Sequence, residues 1–219
     1  MKIITIAQQK GGAGKTTVAA HVAVSLMQTG KRVGIVDIDP QGSLTTWYGL
    51  REKKFGKGFT GVSLIAGSGW RLDSIISQAK NDYDFIVIDS PPHTETESKS
   101  AIRAADLVLV PMQPSPADAW ATKSTLEFAR TENKLVKIVL NRFNANSTMA
   151  KKITASLKES LNSHLGNRVA FSNCFMQGVC ATESDPHSQA AKEIKQLTDE
   201  ILGLIKIKQD KKDKVLEQV

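Results

Sequence analysis

The stretch Lys10-Gly11-Gly12-Ala13-Gly14-Lys15-Thr16-Thr17 decides the fold of this 219-residue chain. It directly follows the apolar run 3–7, and the residues after it have the apolar spacing of a helix. A strand, a glycine-rich loop and a helix in this order form a phosphate-binding arrangement. The reason is that glycine N–H groups and a helix N-terminus both converge on anionic oxygens. The stretch therefore predicts a nucleoside triphosphate site.

Two side chains of this loop suit a triphosphate and its magnesium ion. Lys15 can reach the β- and γ-phosphates, and the Thr16 hydroxyl can ligate Mg²⁺. The loop departs from the general spacing G-x-x-x-x-G-K-[ST], because Gln9 stands at the first glycine position. A second lysine, Lys10, also precedes the glycines. The loop is thus a variant of the common phosphate-binding sequence.

Strand and helix patterns alternate along the rest of the chain. Apolar runs separated by helices predict a mostly parallel sheet with helices on both faces, a three-layer α/β fold of the P-loop NTPase kind. Ligands of such folds bind at the carboxyl ends of the strands. Strands are predicted at 3–7, 32–39, 61–66, 84–89, 107–111, 135–141 and 169–171. Helices are predicted at 16–29, 72–80, 94–105, 116–131, 147–163 and 188–207.

Length and composition fit one globular domain. We expect this domain to cover residues 1–207, with a flexible insertion at 51–60 and a charged, frayed tail at 208–219. No apolar stretch approaches the ~18 residues of a membrane-spanning helix, and the N-terminus has no signal-peptide pattern. These observations predict a cytoplasmic protein.

Net charge and cysteine spacing limit the kinds of partner and metal site that the chain can have. The formal net charge is +7, and a basic surface attracts polyanions such as nucleic acid, although an ordinary soluble surface with a lysine-rich tail explains the charge as well. Cys174 and Cys180 do not have the spacing of a zinc or cluster motif. They are expected to be reduced and to lie in or near the core.

Three aspartates close predicted buried strands. Asp37 and Asp39 end one strand, and Asp89 ends another. A carboxylate at such a position beside a phosphate loop can hold Mg²⁺ through water or orient an attacking water molecule. A single aspartate there would be interpreted as a helix cap. Three of them beside one phosphate loop favour a functional interpretation.

The three segments together resemble the ParA/MinD family of ATPases, whose phosphate loop is a deviant Walker sequence. Besides the loop, the resemblance lies in Val36-Asp37-Ile38-Asp39-Pro40-Gln41-Gly42 and in Ile86-Val87-Ile88-Asp89-Ser90-Pro91-Pro92. Within the family the chain is most similar to small plasmid-type ParA partition ATPases, which lack an N-terminal DNA-binding domain. The resemblance covers residues 1–145 well and the remainder loosely.

The resemblance implies a role for each matching residue. Lys10 would be the signature lysine, which crosses a dimer interface to the partner's phosphates, and Lys15 would bind phosphate within its own subunit. Asp39 would orient or activate the attacking water. Thr16 would ligate Mg²⁺, and Asp37 and Asp89 would contact the ligands of that ion. Nucleotide contacts are implied for Gly11, Gly12, Ala13, Gly14, Lys15, Thr16, Thr17, Asn141 and Arg142. Asn141 matches the position that reads adenine, and a strand-end cap is its alternative role.

The resemblance also implies a cycle. ATP would build a homodimer, the dimer would bind DNA without sequence preference, and a ParB-like or centromere-binding partner would stimulate hydrolysis. The protein would then be associated with the nucleoid. Its DNA-binding residues are expected to be Lys192, Lys195 and Arg168, with Lys151, Lys152 and Lys158 as alternatives; a solvated basic face would explain any one of them equally well.

Three other functions stay open at this point. A MinD-like membrane-cycling ATPase, positioning the division site or a cargo, would need an amphipathic C-terminal helix. The aliphatic residues 201–207 are more simply explained by packing against the domain, so membrane binding is not expected. An iron–sulfur carrier would need better-placed cysteines. A small-molecule ligase would need a substrate motif, which the sequence does not offer.

Overall fold

Seven parallel strands form the centre of the computed structural model, which describes residues 1–67, 69–92 and 95–216, with the side chains of Glu95 and of 207–216 left out. The strands are β1 (Lys2–Ile6), β2 (Val33–Asp37), β3 (Ser63–Leu64), β4 (Phe85–Asp89), β5 (Leu107–Met112), β6 (Leu135–Phe143) and β7 (Ser160–Gly166). Their order in the sheet is β3-β2-β4-β1-β5-β6-β7. Every neighbouring pair is parallel.

Helices cover both faces of the sheet, which confirms the three-layer α/β prediction. The helices are α1 (Lys15–Gln28), α2 (Ser43–Phe55), α3 (Leu72–Ala79), α4 (Glu95–Ala104), α5 (Pro116–Thr131), α6 (Thr148–Ala155), α7 (Val169–Met176), α8 (Ala181–Ser184) and α9 (Gln189–Leu216). One face packs against α1, α2, α7, α8 and α9. The other face packs against α3, α4, α5 and α6.

The apolar runs seen in the sequence are the central strands. Every residue of β2, β4 and β5 is buried, because helices lie on both sides of them. The strand β1 lies between β4 and β5, so the loop that follows it emerges at the middle of the sheet. This position brings the glycine-rich loop beside the carboxyl ends of β2 and β4.

Two predictions in the C-terminal third were wrong. The predicted helix 147–163 is the short helix α6 followed by the strand β7, and the predicted strand 169–171 is part of α7. Ile153, Leu157 and Leu161 stand four residues apart, a spacing that is typical of one face of a helix. In the folded chain, alternate residues Leu161, Ser163 and Leu165 are buried, and pairing with β6 decides for the strand.

Two further boundaries differ from the prediction. Residues 51–60 are not a flexible insertion: α2 runs to Phe55, and Arg51 is buried at 2% exposure. The last helix, predicted to end at 207, continues to Leu216 into the segment expected to be a tail, of which residues 217–219 lie outside the described chain. Thr94, expected to begin a helix, also lies outside the described residues.

The aliphatic residues near the C-terminus pack into the domain. Ile194, Leu197, Ile201 and Ile205 of α9 are buried, and Leu202 and Leu204 pack against the same core. Cys174 and Cys180 are buried and unoxidised in this core, as expected. Within the described residues, no helix combines the length and the apolar character needed to span a membrane.

Candidate nucleotide-binding site

The glycine-rich loop has the backbone conformation of a phosphate cradle. Gly14 precedes α1 with a φ of 93°, and a Cβ atom there would lie 2.3 Å from the Asn141 amide nitrogen. Both facts require glycine at this position. Gly14 carries no side chain that could cap the first N–H groups of α1, and the first turn has no acidic residue. The start of the helix therefore offers its N–H groups and its positive end to an anion.

Two amide side chains hold this loop from neighbouring strands. Asn141 Nδ2 donates to the carbonyl oxygen of Ala13 at 2.8 Å, and Asn141 Oδ1 accepts from the N–H of Arg142 at 2.9 Å. Gln113 Nε2 donates to the carbonyl oxygen of Gly12 at 3.0 Å. Asn141 thus braces the loop, and one of its amide hydrogens is left over for a ligand.

Four of the residues proposed for chemistry come together at the carboxyl edge of the sheet. Asp37 and Asp89 are register partners at the ends of β2 and β4, and Lys15 lies close enough to Asp89 and Asp39 to feel their charges. Lys15 is buried at 7% exposure. Burial lowers the pKa of Lys15, and the two carboxylates oppose that shift only in part. An anionic ligand would restore the balance of charge around this lysine.

Asp89 is the least satisfied group of the site. It is fully buried, and neither carboxylate oxygen has a hydrogen-bond partner within 3.5 Å among the described residues. Burial raises the pKa of Asp89 to about 7, and the neighbouring Asp37 adds to the rise, while the nearby Thr16 hydroxyl and Lys15 counteract it. A buried carboxylate without a partner is a mark of a site that awaits a ligand.

Asp37 and Asp39 are partly engaged by the backbone. Asp37 accepts from the N–H and hydroxyl of Thr45 at 2.8 and 3.0 Å, so it caps the first turn of α2. Asp39 is half-buried and accepts from the N–H of Gln41 at 2.9 Å. Asp37 therefore fills the capping role that the sequence left open, while Asp39 keeps one carboxylate oxygen without a hydrogen bond from the described residues.

The donor set fits a magnesium ion that has few protein ligands. No three Asp, Glu, His or Cys side chains converge on one point within the described chain. Mg²⁺ commonly keeps several waters and takes one or two protein oxygens together with phosphate oxygens. The Thr16 hydroxyl beside the unpartnered oxygens of Asp89 matches that requirement.

Lys10 forms an ion pair with Asp118, a residue that the sequence analysis missed. Its Nζ lies 2.5 Å from Oδ2 of Asp118, on the first turn of α5. The side chain of Asp118 is 3% exposed and that of Lys10 is 40% exposed. Ser115 caps the same turn by accepting from the N–H of Asp118 at 3.1 Å. The sequence Ser115-Pro116-Ala117-Asp118 is a helix-start pattern that could have identified this aspartate.

A cavity of about 370 Å³ opens at the carboxyl ends of β6 and β7. Arg142, which has a left-handed backbone with a φ of 51°, lines it together with Asn167 and Arg168. Arg168 is bound to the buried Glu193, with Nη2 2.6 Å from Oε1. The sequence analysis did not find this cavity, because residues from two strands and α9 build it.

The predicted DNA-binding residues fall into two groups. Lys192 and Lys195 are exposed on α9, and Lys195 Nζ donates to the carbonyl oxygen of Pro186 at 3.2 Å. Arg168 lies beside the cavity and is engaged by Glu193. Lys192 and Lys195 are thus exposed cations on one helix, whereas the charge of Arg168 is neutralised by Glu193.

Comparisons with known proteins show that the chain matches a family of nucleotide-binding domains. The family described as the CobQ/CobB/MinD/ParA nucleotide binding domain matches residues 4–217. The maintenance of carboxysome distribution protein A of Halothiobacillus neapolitanus is 30% identical over 91% of this chain and 95% of its own length. The chromosome-partitioning ATPase Soj of Thermus thermophilus is 29% identical over 76% of this chain and 78% of its own.

Solved structures agree on the fold. The septum site-determining protein MinD of Pyrococcus horikoshii, complexed with Mg-ADP, has a TM-score of 0.80 at 23% identity and covers 94% of this chain and 98% of its own. The family match spans nearly the whole chain, so the resemblance found in the sequence is confirmed. The chain belongs to the CobQ/CobB/MinD/ParA family of nucleotide-binding domains, the family of the ParA and MinD ATPases.

Proposed function

We propose that this protein is an Mg²⁺-dependent ATPase that positions a DNA or protein cargo by cycling on and off DNA. Its ATP-bound form is a homodimer that binds DNA without sequence preference. A ParB-like or centromere-binding partner stimulates hydrolysis and releases the dimer. The names of two relatives, one for carboxysome distribution and one for chromosome partitioning, support this class of function.

The observation that carries the proposal is the incomplete charge balance at the carboxyl edge of the sheet. Among the described residues, Lys15 is buried without an ion-pair contact, and the carboxylate oxygens of Asp89 are buried without a hydrogen-bond partner within 3.5 Å. Both groups would gain a partner from a nucleotide with its metal ion. A site kept only for stability would leave neither group unpaired.

Each residue then has a task in hydrolysis. The N–H groups of Gly12 to Thr16 and the Lys15 ammonium hold the β- and γ-phosphates. Asp39 orients the attacking water, and Lys10 of the partner subunit neutralises charge on the transferring phosphoryl group. Mg²⁺ held at Thr16, with Asp37 and Asp89 behind it, would supply further neutralisation of that charge.

The base of the nucleotide is proposed to lie beside Asn141 and Arg142. The Asn141 side chain uses one amide hydrogen for Ala13 and its oxygen for Arg142. Its second amide hydrogen can therefore donate to an acceptor on the base. The cavity at the ends of β6 and β7 begins at Arg142 and provides space beyond the phosphate loop. An Asn141→Ala substitution would also loosen the loop, so base preference and overall affinity should change together.

Substitution of Asp39 by Ala tests the catalytic part. We expect turnover to fall at least about 100-fold, because the attacking water is no longer positioned. ATP binding should persist, and the ATP-bound dimer should accumulate in sedimentation experiments. Asp73→Ala, a change of an exposed aspartate on α3, is the matched control. Unchanged turnover in the Asp39 variant would remove this residue from the mechanism.

DNA binding is tested by reversing the exposed charges of α9. A dimer doubles the formal net charge of +7 to +14, and affinity governed by counterion release falls steeply with salt. We expect labelled random-sequence duplex to bind the ATP form tightly and the ADP form weakly. Lys192→Glu with Lys195→Glu should weaken binding and flatten the salt dependence, with nucleotide affinity unchanged.

The control for this experiment has the same change of charge on the opposite face. Lys80→Glu with Lys123→Glu alters two exposed lysines, one directly after α3 and one on α5, and should leave DNA affinity nearly intact. Equal loss in both double variants would mean that net charge alone attracts DNA. If the ATP form has no more affinity than the ADP form, the DNA-cycling proposal is wrong. Sedimentation with anionic liposomes would then test the membrane-cycling alternative.

A further inference from the structure

The contact between Lys10 and Asp118 carries a consequence for the timing of dimer formation. Lys10 Nζ lies 2.5 Å from a carboxylate that is 3% exposed. We infer that Asp118 is a positioning residue, which retains Lys10 in its own subunit until the phosphates of a second, nucleotide-bound copy of this chain compete for it. The inference rests on the proposed use of Lys10 across the dimer.

Asp118 depends on Lys10 for its charge balance. Lys10 is the one cation within 4 Å of this carboxylate in the described part of the chain. The Ser115 hydroxyl also donates to Oδ2, while Oδ1 is buried without a hydrogen-bond partner there. If Lys10 departs, a desolvated carboxylate remains with one neutral donor, which is unfavourable. Asp118 therefore opposes any movement of Lys10 towards another subunit.

The residues before Lys10 are attached to the same helix. Gln8 Nε2 donates to the Thr122 hydroxyl at 2.8 Å, and the Ser124 hydroxyl donates to Gln9 Oε1 at 2.9 Å. Three consecutive residues of the loop thus bind α5 through their side chains. This arrangement fixes the start of the loop, so that a release of Lys10 needs only a movement of its own side chain, which is 40% exposed.

Competition of this kind lowers the apparent affinity of dimer formation. When only a fraction of the molecules has Lys10 free, the apparent dissociation constant rises by the inverse of that fraction. For a partly exposed ion pair we expect a factor of about 2 to 5 per subunit. A dimer requires two such releases, so loss of the Asp118 charge should tighten dimer formation about 4- to 25-fold.

The test measures dimerisation by analytical ultracentrifugation with Mg²⁺ and the non-hydrolysable nucleotide AMPPNP. Asp118→Asn should dimerise at lower protein concentration than the unaltered protein, and Asp118→Glu should restore part of the retention. Lys10→Ala with Asp118→Asn should behave as Lys10→Ala alone, because both residues act in one contact. Ser115→Ala is the control: it removes the cap of α5 and the neutral donor to Asp118 Oδ2, and it keeps the ion pair. Its melting temperature should fall without tighter dimerisation.

The outcomes separate this inference from the proposed function. If Lys10→Ala dimerises normally with AMPPNP, the proposed use of Lys10 in trans is wrong. If Lys10→Ala fails to dimerise and Asp118→Asn, still folded and nucleotide-binding, dimerises no better than the unaltered protein, the retention by Asp118 is wrong.

A second measurement covers the case in which Asp118→Asn does not fold. Amine-reactive labelling of the nucleotide-free protein, read by peptide mass spectrometry, should modify Lys10 about 2- to 5-fold more slowly than the exposed Lys192. Equal labelling of the two lysines would overturn the inference, because Lys10 would then be free in solution.

Discussion

Two buried ionic groups of this molecule differ in how completely they are satisfied. Arg51 on α2 is 2% exposed, and its guanidinium binds both oxygens of Glu183 on α8, at 2.6 and 2.8 Å. It also donates to the carbonyl oxygens of Thr60 and Gly178. At the candidate nucleotide site, by contrast, Lys15 is 7% exposed and Asp89 is fully buried, and neither has such contacts among the described residues.

The difference distinguishes a structural ion pair from a candidate ligand site. The Arg51 guanidinium is matched by a carboxylate and two carbonyls and stacks on Phe55, 4.6 Å from the ring centre. It connects α2 to the segment around α8, and no group remains for a ligand to satisfy. Lys15 and Asp89 are buried without partners, which is unfavourable, and a bound ligand would supply those partners. Burial of charge alone therefore does not identify a candidate ligand site, whereas a buried ionisable group without a partner beside a phosphate loop does point to one.

Removal of the satisfied arginine should have the largest effect on stability. We expect Arg51→Ala to lower the free energy of unfolding by about 3–5 kcal/mol, since Glu183, only 15% exposed, would lose its cation and keep only the Cys180 N–H as a donor. Nucleotide affinity of the folded fraction should not change. Urea unfolding followed by circular dichroism measures the loss, and Lys123→Ala, at an exposed ion pair, is the control with a far smaller loss. A loss as small as in the control would mean that the Arg51 pair is not structural.

Removal of the unsatisfied lysine should have the opposite pattern. Lys15→Ala is expected to weaken ATP binding at least about 100-fold, or ~3 kcal/mol, because the phosphates lose a cation in a partly desolvated site. Its unfolding free energy without nucleotide should stay close to that of the unaltered protein. Isothermal titration calorimetry gives the affinity. Near-normal affinity would remove Lys15 from phosphate binding.

The unpartnered carboxylate should make the nucleotide-free protein less stable at high pH. The pKa of Asp89 is raised to about 7, above its value in the unfolded chain, so the stability is lost as the pH rises towards 7. The difference in the free energy of unfolding between Asp89→Asn and the unaltered protein should shift by about 2–3 kcal/mol in favour of the variant from pH 5 to pH 8. Thermal unfolding without Mg²⁺ at both pH values tests this expectation. A gain that does not depend on pH would show that Asp89 is ionised at both.

A buried histidine near the satisfied pair should act in the opposite pH direction. His21 on α1 is fully buried, and burial lowers its pKa to about 4, so the unfolded chain binds a proton more readily below pH 6.5. Stability is complete above that pH and should fall by about 2 kcal/mol between pH 7.5 and pH 5. His21→Gln should lose this slope. An unchanged slope in the variant would assign the pH dependence to other groups.

The nucleotide site was largely predictable because its parts are local. One loop supplies Gly14, Lys15 and Thr16, and the aspartates stand at the ends of strands that are apolar throughout. Parallel strands bring their carboxyl ends to one edge, so the sequence pattern was enough to expect a cluster. The C-terminal third was less predictable, because Leu161 and Leu165 are spaced like residues on one face of a helix and yet belong to the strand β7, which pairs with β6.

The sequence by itself determined the three-layer fold, the phosphate loop and the family, because each depends on residues that are close together in the chain. Tertiary structure alone decided which charges have partners. Asp118 meets Lys10 across 108 positions, Glu183 meets Arg51 across 132, and Asn141 reaches Ala13 across 128. Whether a buried charge is satisfied depends on side chains brought together by folding, and no local pattern specifies them.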